Sequence, residues 1–173
     1  QRQWMEAGER ERQLGYWCRQ LGGEQPVLEL PSDRPRPATR SFKGAKLNIV
    51  LDAALARSLR ALSQREGVTP FMLLLAAFQT LLYRYSGQRD IRIGVPSANR
   101  PRQETQGLVG FFINTLVLRA ELDGRLPFNQ LLAATRQAAV GAQAHQDLPF
   151  EQLLEAFPHA REQGLFQVMF NHQ

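Results

Sequence analysis

The chain has 173 residues, of which 43% are hydrophobic and 21% are charged, and its formal net charge is +5. This length supports one domain with its own core, and no apolar run is long enough to span a bilayer. The polar first residues exclude a secretory signal peptide, and the single cysteine, Cys18, excludes an intrachain disulfide. We therefore expect a cytoplasmic protein in which Cys18, beside Trp17, is a buried or half-buried structural thiol.

The first predicted element is a helix that ends at Gly22-Gly23. Its apolar face carries Trp4, Leu14, Trp17 and Leu21. A proline-rich connector over residues 26–40 follows, and it should be extended and irregular because proline lacks a backbone donor. Since the chain begins with Gln inside this helix and ends just after a predicted strand, we expect it to be a piece of a longer protein.

The next segment predicts a strand followed by two helices. Residues 47–51 alternate between apolar and smaller or polar side chains, as in a half-buried strand. Asp52 has the character of a helix N-cap, and Gly67 ends that helix. Thr69-Pro70 begins a second helix, which is apolar around most of its circumference and ends at Gly87.

The second half of the chain predicts three strands and two helices. The strands cover residues 91–95, 109–122 and 166–170, and the helices begin at Pro127 and at Leu148-Pro149. The strand over 109–122 is apolar on both faces, which favours the middle of a covered sheet. Four strands and about five helices with mixed connections predict a two-layer α/β domain.

The residue patterns exclude several self-sufficient active sites. The three histidines have no metal-ligand spacing, and there is no phosphate-binding glycine loop, serine elbow or paired acid–base signature. The basic residues are spread along the chain, and the densest group, residues 34–46, has no interleaved aromatic platform. We interpret most of this charge as solvated surface, and a gel shift without salt-sensitive binding would remove the nucleic-acid alternative.

Three stretches change the functional interpretation. They are residues 93–100 (IGVPSANR), 110–119 (GFFINTLVLR) and 145–153 (HQDLPFEQL). In this order and at this spacing they resemble the last three signature motifs of nonribosomal peptide synthetase condensation domains. Residues 30–37 (LPSDRPRP) resemble the family's proline-rich segment between lobes, and residues 68–71 (VTPF) with the leucine-rich helix also fit.

The resemblance implies the fold of a chloramphenicol acetyltransferase-like (CoA-dependent acyltransferase) lobe with a mixed β-sheet. Residues 1–40 would be the interlobe helix and connector, and residues 41–173 the C-terminal lobe. Two such lobes form a V around a tunnel, and peptidyl carrier proteins deliver substrates on phosphopantetheine arms, so no cofactor is bound directly. The implied partners are the N-terminal lobe, the carrier proteins and an adjacent adenylation domain, with no nucleic acid and no membrane span.

The family's working residue is the second histidine of an HHxxxDG motif, which belongs to the N-terminal lobe. No His-His pair occurs in this chain, so we expect no catalytic residue in it and no condensation by it alone. Alternatives are a lobe of an epimerisation or heterocyclisation domain, and a non-catalytic module that docks acidic carrier proteins. The resemblance does not reveal the product, although a siderophore synthetase is compatible with it.

The candidate residues for the tunnel wall or the lobe interface are Ser97, Asn99, Arg100 and Asn114. Arg100 either contacts the other lobe or a substrate arm, or anchors a loop within its own lobe. Asn114 is polar in an apolar strand, so it either ties down neighbouring backbone or faces the tunnel and binds the pantetheine arm or thioester carbonyl.

The third motif has two interpretations as well. Residues 145–152 favour helix punctuation, in which Asp147 and Glu151 suit the start of a short helix and Pro149 lies in its first turn. The same residues could support the lobe interface.

Overall fold

The computed structural model describes residues 2–34, 43–100 and 103–172. The helices are Arg2–Trp4 (α1), Arg10–Leu21 (α2), Ala53–Arg65 (α3), Pro70–Ser86 (α4), Phe128–Gln143 (α5), Phe150–Glu155 (α6) and Ala160–Gln163 (α7). The strands are Asp90–Ser97 (β1), Asn114–Glu121 (β2) and Val168–Met169 (β3). A π-type turn over Met5–Glu9 joins α1 to α2 with a kink at Gly8, and a 3₁₀ turn covers Gln103–Thr105.

The three strands form one mixed sheet in the order β2-β1-β3. Strands β1 and β2 are antiparallel, with Asp90 opposite Glu121 at one end and Ser97 opposite Asn114 at the other. Strand β3 runs parallel to β1. The predicted mixed sheet in an α/β fold is therefore confirmed.

The prediction that residues 109–122 form the central strand is wrong. Strand β2 begins only at Asn114 and lies at an edge of the sheet that the described residues form, with β1 in the middle. The partner strand ends at Ser97, so residues before Asn114 have no backbone opposite them to bond. The preceding apolar residues are exposed instead, and Phe111 has 90% of its surface accessible.

The strand predicted over residues 47–51 is also absent. Among the described residues no strand pairs with this segment, and an isolated extended segment cannot satisfy its backbone groups except with water. Leu47 and Ile49 are 85% and 77% exposed, so the alternation does not mark a buried face in this chain. Residues 35–42, which include part of the predicted connector, lie outside the described residues.

The predicted helix ends are confirmed where the sequence specifies a capping residue. The Asp52 side chain accepts from the Leu55 N–H at 2.7 Å, and the Thr69 hydroxyl accepts from the Met72 N–H at 3.2 Å. Helix α4 ends at Gly87 in the left-handed conformation, with φ of 69°, which glycine adopts without steric cost. Pro149 differs slightly from its prediction, because it occupies the cap position before α6 rather than the first turn.

The sheet is covered on both faces. Helices α4 and α5 pack against each other and against the face that carries Val95, Leu116 and Leu118. On the opposite face, Arg92 and Arg119 donate to the Leu21 and Gln20 carbonyls at the C-terminal end of α2. Arg92 is buried and pairs with Asp90 at 2.9 Å, so its charge is compensated.

Cys18 is exposed, which contradicts the predicted buried or half-buried thiol. The buried face of α2 consists of Gln13, Trp17 and Leu21, spaced four residues apart. A residue next to Trp17 in sequence points about 100° away from it around the helix, so Cys18 faces outward.

A close approach at Gly94 fixes the path of the segment before β3. A Cβ atom on Gly94 would lie 2.5 Å from the Phe166 ring, which therefore packs directly on the β1 backbone. Phe170 N–H also donates to the Gly94 carbonyl at 2.9 Å. Only glycine permits this contact without displacing the ring.

No single helix among the described ranges is both long and apolar enough to cross a membrane. Helices α3 and α4 meet that test only when taken together, and they are bent by 105° relative to one another.

Candidate functional site

The three motifs of the sequence meet where β1 and β2 end. The antiparallel register sets Ser97 of the first motif directly opposite Asn114 of the second. Both side chains reach residues 146–150 of the third motif, which connect α5 to α6. We call this contact, formed by Ser97, Asn114 and residues 146–150, the motif junction.

Asn114 is the most connected residue of the motif junction. Its Nδ2 donates to the carbonyls of Gln146 and Leu148, both at 2.8 Å, and its Oδ1 accepts from the Phe150 N–H at 3.0 Å. Only 7% of the residue is accessible. Both amide protons are used, so the geometry supports the first of the two interpretations, in which Asn114 ties down backbone.

Ser97 connects the first motif to the third. Its hydroxyl donates to Gln146 Oε1 at 2.6 Å and accepts from the Asn99 N–H at 3.3 Å. Asn99 has φ of 49° and is the non-glycine residue with positive φ in the described ranges. Asparagine tolerates this conformation better than most residues, which suits the turn that follows the strand.

Arg100 holds the loop between β1 and β2. Its Nη1 donates to the Thr105 carbonyl, and its guanidinium carbon lies 3.9 Å from the centroid of the Phe112 ring. These contacts join Arg100 to the middle and to the far end of the same loop through a hydrogen bond and a cation–π interaction. They favour the interpretation as a loop anchor.

Helix α2 contacts the motif junction from the other side. The Oε1 atom of the fully buried Gln13 accepts from the Leu148 N–H at 2.8 Å, and Trp17 Nε1 donates to the His145 carbonyl at 3.0 Å. The third motif is thus fixed between α2 and the ends of β1 and β2.

His145 is held in one orientation and one tautomer. Nδ1 lies 2.7 Å from the Gly141 carbonyl, which can only accept, so Nδ1 carries the proton. Nε2 then accepts from Arg12 Nη1 at 2.8 Å. The ring stacks on Tyr16 with centroids 3.8 Å apart, and burial raises the pKa of the Tyr16 phenol.

An ion pair at the start of α2 orients Arg12 toward His145. Arg12 Nη2 lies 2.5 Å from Glu9 Oε1, and Gln13 Nε2 donates to the same oxygen at 2.9 Å. The hydrogen bonds from Arg12 and Gln13 lower the pKa of Glu9 from 4.5 to about 2. The same pairing with Glu9 raises the pKa of the Arg12 guanidinium.

A cavity of about 270 Å³ lies beside the motif junction, between the sheet and helices α4 and α5. Ser97 and Gln146 form part of its wall, and Asn114, which lies opposite Ser97 in the strand pair, is not among the lining residues. Within the described residues no cluster of side chains could hold a metal ion. The motif junction as a whole positions backbone and forms part of the cavity wall. It places no nucleophile beside a base.

Two residues of this arrangement were not singled out from the sequence. Gln13 lies four residues before Trp17 and eight before Leu21, so its position on the apolar face was a usable signal. Gln146 had no such signal, because its role depends on Ser97, which lies 49 residues earlier in the chain.

Comparison with known proteins agrees with this geometry. The family model described as "Condensation domain" matches residues 1–173. A linear gramicidin synthase of Brevibacillus parabrevis is 53% identical over 173 residues, which cover 98% of this chain and 3% of that protein. The solved condensation domain from Monacolin K polyketide synthase MokA is 30% identical, with a TM-score of 0.80 over 90% of this chain and 37% of that one.

A second solved structure is the complex of the X-domain and OxyB from teicoplanin biosynthesis. It is 28% identical to this chain, with a TM-score of 0.81 over 90% of this chain and 36% of that one.

The chain belongs to the condensation-domain family, and its relatives are nonribosomal peptide synthetases, as the three motifs predicted. Its fold is the CoA-acyltransferase-like fold of these domains. It spans about 3% of the length of the linear gramicidin synthase that it matches at 53% identity.

Proposed function

We propose that residues 41–173 are the C-terminal lobe of a condensation domain and that residues 1–40 are its interlobe helix and connector. The complete domain joins aminoacyl or peptidyl thioesters by forming a peptide bond. The observation that supports this most is the motif junction, where all three family motifs converge through direct hydrogen bonds.

Exposed apolar segments support a second lobe. Residues 47–51 and 108–113 contain several large apolar side chains that are more than half exposed. They are Leu47, Ile49, Val50, Leu51, Leu108, Val109, Phe111 and Ile113. Large exposed apolar surface favours a protein contact, and the preceding lobe of the same domain is the partner that we infer.

The chemistry of the proposed reaction divides between the lobes. The second histidine of HHxxxDG, in the preceding lobe, takes a proton from the acceptor amine as its nitrogen bonds to the donor thioester carbon. The carbon–sulfur bond then breaks, and the proton passes to the thiolate of the donor arm, which leaves as a thiol. This chain contributes one wall of the tunnel between the lobes. The shape of that wall is held by the contacts of Ser97, Asn99, Arg100 and Asn114 with the neighbouring loops. His145 is engaged by Arg12 and Gly141, so it takes no part in proton transfer.

The partners follow from this assignment. Peptidyl carrier proteins bring both substrates on phosphopantetheine arms, the lobe binds no cofactor of its own, and an adenylation domain lies next to it in the synthetase.

The test uses the complete domain of the parent synthetase with two loaded carrier proteins. Dipeptide is detected by mass spectrometry for the wild type, for alanine at the second histidine of HHxxxDG, and for His145→Gln. We expect product from the wild type and from His145→Gln, and none from the upstream variant. Product lost on His145→Gln at an unchanged melting temperature would show that the assignment of roles is wrong.

A non-catalytic docking module is the second candidate. It is favoured by the likeness to an X-domain solved with OxyB and by the net charge of +5, which suits an acidic partner. Titration of this chain with loaded carrier protein at low and high salt tests it, and no binding at low salt would exclude it.

A further inference from the structure

We propose that the cavity beside the motif junction receives the uncharged, largely apolar side chain of one of the two aminoacyl substrates. This inference rests on the proposed function, because it assumes that thioester substrates reach the ends of β1 and β2. It assigns that site a substrate class, which peptide-bond formation alone does not specify.

The size of the cavity fits one side chain. Pockets for drug-sized ligands enclose about 300–1,000 Å³. At about 270 Å³ this cavity lies just below that range, which suits a group of the size of an amino-acid side chain.

The lining of the cavity selects against charge. No Lys, Arg, Asp or Glu of the described residues lines it, and its polar lining consists of Thr69, Ser97, Gln143, Gln146, Asn171 and His172. Its apolar wall comes from both strands and from helices α4 and α5, namely Phe71, Met72, Val95, Leu116, Leu118 and Ala139. A charged side chain would lose its hydration there and meet no Lys, Arg, Asp or Glu to pair with, whereas an apolar one gains by leaving water.

One end of the cavity carries a hydrogen-bond donor. Gln146 Oε1 is occupied by the Ser97 hydroxyl at 2.6 Å. No hydrogen bond from Gln146 Nε2 occurs in the part of the chain that the structure describes, so this amide can donate to a substrate carbonyl. An apolar wall with this donor beside it matches a side chain attached to a thioester or amide carbonyl.

The larger groove on α5 is a poorer fit. It encloses about 650 Å³ between the α3–α4 turn and the outer side of α5, and its lining includes Glu66 and Arg136. Its charged lining argues against an apolar substrate group there.

The experiment changes the volume of the cavity in the complete domain of the parent synthetase. Ala139→Leu fills it and Met72→Ala enlarges it, while Ala134→Leu adds the same bulk to an exposed position of the same helix. Condensation is measured with carrier-bound alanyl, leucyl and phenylalanyl thioesters, varied first as donor and then as acceptor.

We expect Ala139→Leu to lower the phenylalanyl-to-alanyl rate ratio in one of the two series by about tenfold, because a few methylene groups in a pocket discriminate by that order. Met72→Ala should raise the same ratio in the same series, and Ala134→Leu should leave it unchanged. Gln146→Leu should slow condensation of all three substrates without changing their order.

Two results would overturn the inference. One is a wild type that condenses all substrates while neither cavity variant changes a ratio in either series. The other is a change in melting temperature alone, which would show that the protein itself fills the cavity. No dipeptide from the wild type would instead overturn the proposed function, and this inference with it.

Discussion

Asn114 is where a single side chain connects two of the family motifs. All its amide protons bond carbonyls of the third motif, so its loss leaves buried backbone groups without partners. We expect Asn114→Leu to lower the free energy of unfolding of the complete domain by about 3 kcal/mol, from three hydrogen bonds of about 1 kcal/mol each. Denaturant unfolding measures this.

The control for this substitution is Asn129→Leu, at an exposed position whose side chain bonds, among the described residues, only the N–H of its neighbour Gln130. It should change the free energy of unfolding by less than about 0.5 kcal/mol. Lost turnover in Asn114→Leu at an unchanged melting temperature would favour the other interpretation, in which Asn114 binds substrate.

Gly94 is important because it has no Cβ atom, so a substitution there tests the close packing of its backbone. Gly94→Ala places a methyl group 2.5 Å from the Phe166 ring, so the ring or the strand must move. We expect a loss of about 1–3 kcal/mol in the free energy of unfolding. Gly44→Ala, where a Cβ meets nothing within 4 Å, is the matched control, and an equal effect from both would contradict the packing argument.

At the scale of elements, helix α2 is fixed to the third motif by polar contacts that respond to pH. The pKa of Glu9 is about 2 in the folded chain and 4.5 without the Arg12 and Gln13 bonds, so the ionised form is the one that folding favours. The stabilisation is therefore full above pH 4.5 and is lost as the pH falls from 4.5 toward 2.

The lowered pKa of Glu9 predicts how the stability of the Glu9→Gln variant depends on pH. The variant should unfold more easily than the wild type at pH 7, and the difference should shrink steadily below pH 4.5. Chemical denaturation at several pH values measures it, with the exposed Glu11→Gln as control. A difference that grows on acidification would contradict the assigned pairing.

The elements themselves could be predicted from the sequence where local chemistry specifies them. Asp52, Thr69 and Gly87 fix helix ends through bonds or backbone angles within a few residues, and these predictions hold. The strands over residues 47–51 and 109–113 failed because a strand depends on a partner, and apolar alternation does not reveal whether one exists.

The candidate site could also be predicted only in part from the sequence. The motif strings identified the family and named Ser97, Asn99, Arg100 and Asn114. The convergence of Ser97 and Asn114 on residues 146–150 depends on the register of β1 and β2, which no short sequence window specifies.

At the scale of the whole molecule, the exposed apolar segments predict a context-dependent effect. Phe111 is 90% exposed in this chain, so Phe111→Ser should change the unfolding free energy of the 173 residues by less than about 0.5 kcal/mol. If the preceding lobe covers it, the same substitution should cost the complete domain about 3 kcal/mol.

Leu73→Ser serves as the control, since Leu73 is buried within this chain and its loss should destabilise both proteins. Equal, small effects of Phe111→Ser in both contexts would show that no lobe packs on residues 108–113.

The central claim is that this chain shapes half of a condensation site whose proton-handling histidine lies in a preceding lobe. Dipeptide formation from two loaded carrier proteins, compared between the 173 residues and the complete domain with folding of both checked by circular dichroism, tests it most directly. We predict product from the complete domain and none above background from the folded 173 residues. Condensation by the 173 residues at a rate comparable to the complete domain would contradict it.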